Sequence, residues 1–218
     1  MNKYDNALKY FVDPDSEILE QPRPHENYIV ATDKYIAIRI DKSLCEGEYT
    51  AHDKQPKSWD KVFAEPTGNK FKLSVKQFAE MINIIPEFES VKVTGTDFAK
   101  CPECDGGGYV DWYFEDSDGK DYYKEFECPV CDGRGKFEKR KFHRHDRNIG
   151  INDIWFNVGS MLSVLKAIHT MERESATIVR LSETSPMLIS VEPGVEIIIM
   201  PNKMIEPVVF TDLKPINV

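Results

Sequence analysis

Four of the five cysteines in this chain occur as two pairs with the same internal spacing. Cys101 and Cys104 form the first C-x-x-C pair, and Cys128 and Cys131 form the second. A C-x-x-C turn directs two sulfur atoms toward one point, and four thiolates are the usual ligand shell of a structural Zn²⁺ ion. Because a shell of four protein ligands leaves no position for a reacting water, the spacing predicts one structural Zn²⁺ ion.

Glycines follow each cysteine pair at the same two offsets. Gly106 and Gly108 follow the first pair, and Gly133 and Gly135 follow the second. Glycine adopts positive φ angles and leaves the backbone beside a ligand free of Cβ atoms. The alternatives are a redox dithiol and two disulfides, and both fit two matched C-x-x-C-x-G-x-G units less well than a metal site does.

The segment between the two cysteine pairs has the alternation of a β-hairpin. Val110, Trp112 and Phe114 alternate with polar and tyrosine residues, and the sequence Asp-Ser-Asp-Gly at 116–119 is typical of a turn. A returning strand is predicted at 121–126. Such a hairpin has too little apolar area to fold alone, so we expect metal binding to supply its folding free energy.

The C-x-x-C-x-G-x-G units resemble the cysteine-rich zinc domain of DnaJ-type chaperones. That family carries four such units and two zinc ions, whereas this chain carries two units, enough for one ion. We find no His-Pro-Asp tripeptide, which the family uses to engage its ATPase partner. The resemblance therefore implies the metal site and does not imply the chaperone activity.

The overall composition is that of a globular protein. The 218 residues are 41% hydrophobic and 30% charged, with a formal net charge of −9 that argues against nucleic-acid binding over the whole surface. We see no apolar run of membrane-spanning length and no signal-peptide region at the N-terminus, so we expect a cytoplasmic protein with reduced cysteines. Cys45, the fifth cysteine, is expected to be a small buried residue or a bystander.

A basic segment follows the acidic hairpin. Residues 111–127 contain seven acids and two lysines, whereas residues 134–147 contain seven Lys or Arg and two acids. Such cations could neutralise phosphates, while the interleaved aromatic residues stack on unpaired bases. An equally weighted alternative is a solvated strand that pairs with the acidic hairpin. The predicted nucleic-acid contacts in this segment are Lys136, Lys139, Arg140, Lys141, Arg144 and Arg147.

His143 and His145 are two residues apart, which would place both on one face of a strand. They offer a second and weaker metal-site hypothesis, because no cysteine or paired carboxylate accompanies them. We recognise no Ser-His-Asp order, phosphate-binding loop or dinucleotide fingerprint. The sequence therefore predicts a protein that is not an enzyme.

The rest of the chain predicts an α+β fold with two helices. A capping-box sequence at 74–77 begins the first helix, and Gly159-Ser160 begins the second. The segments before and after these helices are similar, which indicates a repeated strand–helix–strand unit. The tail from Pro201 is expected to lie along the surface. Other strands are predicted at 6–12, 28–40 as two runs, 46–51, 89–94, 149–158, 176–181, 187–191 and 195–200.

These elements resemble the sliding DNA clamp family, in particular the bacterial polymerase β clamp. The similarity rests on 28–40 with its Ala-Thr-Asp sequence, on 156–168, and on 197–204 with its Met-Pro-Asn-Lys-Met ending. It implies a clamp-like α+β domain with antiparallel sheets at 1–98 and 149–218, into which the zinc hairpin is inserted at 99–148. A β clamp has three domains per chain, so a ring would need several copies of this chain or a partner.

The clamp resemblance also implies contacts. Basic residues on the inner helices of the family face the duplex, and the matching positions here are Lys76, Lys166 and Arg173, of which Lys76 and Lys166 are the predicted contacts. The family's client-peptide groove corresponds to Met200, Pro201 and Met204. The expected partners are therefore DNA, a polymerase-class client and further copies of this chain. The alternative is a zinc-dependent protein-interaction or chaperone-like adaptor that never meets nucleic acid.

Overall fold

The computed structural model describes residues 2–52, 59–63, 69–182, 185–202 and 207–216, and only the backbone at 60, 88–99 and 137–142. The helices are α1 (Lys3–Leu8), α2 (Trp59–Val62), α3 (Val75–Asn83) and α4 (Val158–Thr170), with 3-10 turns at Lys9–Phe11, Lys42–Leu44 and Arg144–Asp146. The strands are β1 (Arg23–His25), β2 (Tyr28–Thr32), β3 (Ile36–Asp41), β4 (Lys70–Ser74), β5 (Phe88–Lys100), β6 (Tyr109–Glu115), β7 (Asp121–Glu127), β8 (Lys136–His143), β9 (Asn148–Ile151), β10 (Ile154–Asn157), β11 (Ser175–Arg180), β12 (Met187–Glu192), β13 (Val195–Ile199), β14 (Pro207–Thr211) and β15 (Pro215–Ile216).

The chain divides into two compact units. The first unit combines Met1–Pro86 with Arg144–Val218, and the second unit is Glu87–His143. The domain boundaries at 98/99 and 148/149 stay a prediction, because compactness does not test which part folds independently.

The first unit contains an antiparallel sheet of eight strands, in the order β1-β2-β3-β13-β12-β11-β4-β15, and a smaller sheet in the order β10-β9-β14. Both faces of the eight-stranded sheet are covered at the apolar run 197–199 of β13. Ile197 and Ile199 belong to the main core, whereas Ile198 packs on the other side with Trp59 and Phe63. Successive strand residues point to opposite faces, so an uninterrupted apolar run fits a strand that is buried on both sides.

Helices α3 and α4 contribute apolar faces to the main core, and both confirm the sequence prediction. The Ser74 side chain caps α3 by accepting a hydrogen bond from the Gln77 N–H, with an N–O distance of 3.4 Å. In α4, the Asn157 side chain accepts one from the Ser160 N–H at 3.0 Å. None of the described helices has both the length and the apolar character needed to cross a membrane.

The repeated unit predicted around the two helices is only partly present. After α4 the chain returns as β11, which pairs with β4 in the eight-stranded sheet. After α3 it enters β5, whose pairing partner is β8 in the second unit. The α+β class with mainly antiparallel pairing is confirmed, but the first return strand does not join the sheet of the first unit.

The C-terminal tail, which was expected to lie along the surface, adds an edge strand to each of two sheets, and most of the residues in these strands are exposed or half-buried. Strand β14 runs parallel to β9, which also pairs with β10, and β15 pairs with β4. Val208 and Val209 pack against the main core. The apolar residues between the prolines therefore attach this tail to the first unit by packing against its core.

The strand predicted at 6–12 is wrong, because this segment lies in α1 and the following 3-10 turn. The Asn2 side chain accepts hydrogen bonds from the N–H groups of Tyr4 and Asp5, and the Asp5 carboxylate accepts one from the Asn2 N–H. This reciprocal capping box satisfies N–H groups that a helix start leaves without partners. The helical turn then buries Leu8 and Phe11 in the core.

Asp5 also joins α1 to the loop at 46–49, where a strand was wrongly predicted. Its buried carboxylate accepts hydrogen bonds from the N–H groups of Glu46 and Gly47 and from the Tyr49 hydroxyl. Burial alone would raise the pKa of Asp5, but these bonds lower it further than burial raises it. The ionised carboxylate is therefore the form that holds the helix and the loop together.

We expect Asp5→Asn to lower the free energy of unfolding at pH 7 by about 1–3 kcal/mol, since an amide cannot accept all of these bonds. The folded-state pKa lies below the unfolded-state value, so this stability is present above the unfolded pKa and is lost as the pH falls through the folded pKa. Urea unfolding at pH 7 and pH 3 should show the difference from wild type shrinking at the lower pH. The control is Asp13→Asn, which removes a pair with the exposed lysine Lys34 and should have a smaller effect; an equal effect would contradict the prediction.

The second unit contains two ribbons of two strands each. Strands β6 and β7 form the predicted hairpin, in which the Asp116 carboxylate accepts hydrogen bonds from the N–H groups of Asp118 and Lys120, each at 3.0 Å. Strand β8, which carries the basic segment, pairs with β5. The alternative in which the basic strand pairs with the acidic hairpin is therefore wrong.

Candidate metal centre and nucleic-acid interface

The structure brings the four sulfur atoms of the cysteine pairs within 4.8 Å of one another. The Sγ–Sγ distance is 3.9 Å between Cys101 and Cys128 and 3.7 Å between Cys104 and Cys131. A tetrahedral thiolate site with metal–sulfur bonds of about 2.3 Å requires sulfur separations of about 3.8 Å. A disulfide would require about 2.05 Å. The spacing fits a metal ion, and the disulfide alternative is wrong.

Reciprocal backbone hydrogen bonds hold the two cysteine turns against each other. The Cys101 N–H donates to the Gly135 carbonyl at 2.9 Å, and the Cys128 N–H donates to the Gly108 carbonyl at 2.8 Å. Each turn therefore supplies both a donor and an acceptor to the other turn. This exchange explains why the two sequence units match in glycine offsets as well as in cysteine spacing.

Two glycines allow the turns to approach this closely. Gly108 has a φ of +85°, and a Cβ atom there would lie 2.3 Å from the Gly133 carbonyl oxygen. Gly135 has a φ of +69°, and its Cβ would lie 2.3 Å from the Gly106 carbonyl oxygen. Both positions thus require glycine for its conformation and for its lack of a side chain.

Backbone N–H groups point at two of the sulfur atoms. The Gly108 N–H donates to the Cys104 sulfur at 3.3 Å, and the Gly135 N–H donates to the Cys131 sulfur at 3.1 Å. Burial alone would raise the pKa of Cys104, but the N–H groups of Gly108 and Gly106 stabilise its thiolate and lower the pKa to about 7. Burial raises the pKa of Cys131 to about 11. Four thiolates can share this volume only when a cation balances their charges.

The remaining candidate ligands take no part in such a cluster. Within the described residues, the four cysteines are the only group of three or more His, Cys, Asp or Glu side chains close enough to share an ion. His143 ends β8 and His145 lies in a 3-10 turn, so the two do not share a strand face. Burial raises the pKa of Cys45 to about 12, and this thiol packs against the core, as expected for a residue that is not a nucleophile.

Two of the four basic residues of β8 lie opposite lysines of β5. The register places Lys139 opposite Lys92 and Lys136 opposite Lys100. The side chains of Lys139, Arg140 and Lys141 lie outside the described part of the structure. The sequence analysis missed Lys92 and Lys100. The signal was available, because β5 leads into the zinc hairpin and β8 leads out of it, so the two strands are expected to be neighbours.

The other predicted nucleic-acid contacts belong to the first unit. Arg144 and Arg147 are half-buried, and Arg144 donates a hydrogen bond to the Asn83 side chain at 3.3 Å. Lys76 is exposed and lies 3.9 Å from Glu80 on the same helix. Lys166 is exposed on α4. Within the first unit, these residues are therefore spread over a 3-10 turn, the residue just before β9 and two helices.

Met200 lies at an apolar groove of the first unit. Its N–H donates a hydrogen bond to the Tyr35 carbonyl at 2.8 Å, and the Tyr35 side chain is 67% exposed. Pro201 is half-buried, and Met204 lies outside the described residues. The groove has a volume of about 230 Å³ and is lined mainly by Leu19, Tyr35, Trp59, Val62, Ile198 and Met200.

No protein-family model matches this chain, and no curated protein does so either. Similar solved structures include the DNA polymerase sliding clamp from Caulobacter crescentus, with 12% sequence identity and a TM-score of 0.47 over 94% of this chain and 65% of that chain. The DNA polymerase III beta subunit from Thermotoga maritima has 15% identity and a TM-score of 0.47, with the same coverage of 94% and 65%. The sliding clamp from Bartonella birtlesii has 12% identity and a TM-score of 0.48, covering 93% and 63%. The chain spans less than two thirds of the length of these proteins. With TM-scores below 0.5, the similarity is a partial overlap of folds.

Proposed function

We propose that this protein is a non-enzymatic, DNA-binding accessory protein of replication, in which a clamp-like α+β scaffold carries a zinc-stapled module. The observation that supports DNA binding is the pairing of β8 with β5. These two strands together contain six Lys or Arg and three acids. Like charges placed directly opposite each other destabilise a strand pair. A bound polyanion would remove that repulsion, so we assign the β5–β8 ribbon to phosphate contact.

Strand alternation groups the basic positions of the ribbon. Lys139 and Lys141 share one face of β8 with Phe137, and Lys92 lies across from Lys139 on that face. Phosphate contacts from such a face are independent of sequence and depend on salt, while an aromatic position next to the cations suits stacking on an unpaired base.

We assign the cysteine cluster to one structural Zn²⁺ ion held by Cys101, Cys104, Cys128 and Cys131. Four soft thiolates at tetrahedral spacing suit this ion and fill its coordination shell. The site lies at one end of the ribbon, because Cys101 directly follows β5 and Gly135 directly precedes β8. When bound, zinc would therefore fix the register that places Lys100 opposite Lys136. The metal supports the DNA-binding surface and performs no chemistry itself.

Two parts of the proposal come from the resemblance of the sequence to sliding clamps: a polymerase-class client protein and assembly into a ring. Met200, Pro201 and Met204 are proposed to contact a polymerase-class client, and the groove beside Met200 offers apolar surface for this. A ring would require several copies of the chain or a partner. Solution mass with and without DNA tests the assembly, since a ring built from copies of this chain predicts a discrete oligomer, and a monomer in both conditions would exclude such a ring.

Charge reversal on the ribbon tests DNA binding. We expect the double variant Lys139→Glu and Lys141→Glu to bind labelled duplex or single-stranded DNA about tenfold more weakly or worse at 0.1 M salt. The slope of log K against log[salt] should also become shallower by about 0.9 for each duplex phosphate that the variant no longer neutralises. Fluorescence anisotropy over a KCl titration measures both quantities.

The matched control is Lys120→Glu with Lys124→Glu, which makes the same change in net charge on the β6–β7 hairpin. This control should bind DNA nearly as well as wild type. Equal weakening by both double variants would show that net charge alone matters, and unchanged binding by the ribbon variant would reject the assignment. A wild-type protein that binds neither form of DNA at low salt would favour the zinc-dependent adaptor instead.

A further inference from the structure

The β6–β7 hairpin has one mainly aromatic face and one face that carries tyrosines and acids. Residues directly opposite each other share a face, and the register pairs Trp112 with Lys124 and Phe114 with Tyr122. The first face, called the aromatic face below, consists of Val110, Trp112, Phe114, Tyr122, Lys124 and Phe126. The opposite face consists of Tyr109, Asp111, Tyr113, Glu115, Asp121, Tyr123, Glu125 and Glu127.

The aromatic face remains exposed although it is apolar. The Trp112 ring stacks on Phe114 with a centroid distance of 5.9 Å and meets Phe126 edge-on at 6.5 Å. Even after this packing, 55% of the Trp112 side chain and 48% of the Phe114 side chain stay in contact with solvent. Contiguous exposed apolar surface with a polar rim is typical of an interaction site.

The charges of the hairpin indicate which partner the aromatic face suits. The segment 111–127 contains two lysines and seven acids, of which five lie on the opposite face of the hairpin, while Asp116 in the turn borders the aromatic face. Both lysines already lie near rings, with Lys124 Nζ 4.9 Å from the Phe126 centroid and Lys120 Nζ 5.4 Å from the Tyr122 centroid. The rings of this face therefore attract cations. A phosphate backbone laid along the hairpin would meet Asp116 at the turn and the five acids of the opposite face, so a nucleic acid fits this hairpin poorly.

Open strand edges indicate how the partner would bind. Within the described residues, β6 and β7 pair only with each other. Each strand therefore has one edge whose backbone groups can accept a further strand. A segment added there in extended form would project every second side chain onto the aromatic face.

We propose that the aromatic face binds an extended, basic and apolar segment of a partner protein, in which Arg or Lys alternates with apolar residues. Apolar side chains of that segment cover Trp112 and Phe114, while its alternating cations project to the opposite face, where the acids of β6 and β7 lie. This site differs from the DNA-binding ribbon in residues, in charge and in the class of partner, and it does not depend on the DNA-binding proposal.

The test uses the zinc-loaded full-length protein and a fluorescein-labelled synthetic peptide of about 11 residues in which Arg alternates with Leu. We expect the double variant Trp112→Ser and Phe114→Ser to bind this peptide about tenfold more weakly than wild type, since buried aromatic residues dominate such interfaces. The control Tyr123→Ser removes an aromatic side chain that is 73% exposed on the opposite face and should change affinity by less than about twofold. A zinc content equal to that of wild type verifies that each variant is folded.

A second peptide, with Glu in place of Arg, should bind much more weakly than the first. The proposal is overturned if both peptides bind equally well, if Tyr123→Ser weakens binding as much as the double variant, or if the Arg peptide shows no saturable binding up to about 1 mM. It is also overturned if the double variant instead loses single-stranded DNA binding or abolishes a self-association of the wild-type chain. Those two results would assign the face to a nucleic acid or to a second copy of this chain.

Discussion

Replacing Cys131 with serine should abolish zinc binding and unfold the part of the second unit between residues 101 and 135. The only buried cluster of apolar side chains described there consists of Cys101, Cys128 and Cys131, with Cys104 and Val110 packed against it. This part of the chain therefore has no hydrocarbon core that could replace the metal. In small zinc modules the apparent metal-binding free energy is about 10–16 kcal/mol, and it is also the folding free energy.

Elemental analysis and hydrogen exchange would measure this result. Wild-type protein should contain one zinc per chain, and Cys131→Ser should contain almost none and should exchange its amides at 101–135 rapidly. Cys45→Ser is the matched control, because Cys45 lies in the first unit and packs against its core; its zinc content should not change. Full zinc occupancy in Cys131→Ser would refute the four-cysteine assignment.

Gly135→Ala should be almost as disruptive, although it removes no ligand. The added Cβ atom would lie 2.3 Å from the Gly106 carbonyl oxygen, at a φ of +69° that alanine rarely adopts. Relief of this clash requires the two cysteine turns to separate, which stretches the hydrogen bond from the Cys101 N–H to the Gly135 carbonyl. We expect the zinc-bound module to be less stable by about 3 kcal/mol or more. Competition with a zinc chelator would measure this loss of stability, as a decrease in zinc affinity of about 100-fold or more relative to wild type.

Gly119→Ala separates the effect of crowding from the effect of the backbone angle. Gly119 has a φ of +76° at the hairpin turn, but the nearest atom to an added Cβ is the Glu115 Oε1 at 3.9 Å. This variant should be destabilised by only about 1–2 kcal/mol, the cost of a left-handed conformation, and should keep its zinc affinity. If Gly135→Ala and Gly119→Ala behave alike, the close approach of the two turns does not constrain the site.

Several local features could be predicted from the sequence because a few neighbouring residues determine them. The turn at Asp116 is one example, since its carboxylate binds N–H groups only two and four residues ahead. The start of α3 at Ser74 is another. The start of α1 carried an equally local signal in Asn2 and Asp5, but the apparent alternation at 6–12 outweighed it and led to the wrong prediction.

Features that depend on distant residues could not be predicted in the same way. The sequence leaves open whether the basic segment contacts phosphate or pairs with the acidic hairpin, and the pairing of β8 with β5 excludes the second alternative. The pairing of β14 with β9 joins segments about 60 residues apart, and no local pattern in either strand specifies the other. Strand pairing is decided by packing over the whole chain, which is why alternation predicts that a strand exists better than it predicts its neighbour.

The residues alone were enough to identify the four candidate metal ligands, the hairpin between them and the two capped helices, because ligand spacing, turn residues and helix caps act over a few positions. Three further features required the folded chain: the convergence of the Sγ atoms to tetrahedral spacing, the placing of lysine opposite lysine in the β5–β8 ribbon, and the exposure of the aromatic face of the hairpin. Each of these depends on which distant segments are adjacent, and that adjacency is set by the burial and hydrogen bonding of the chain as a whole.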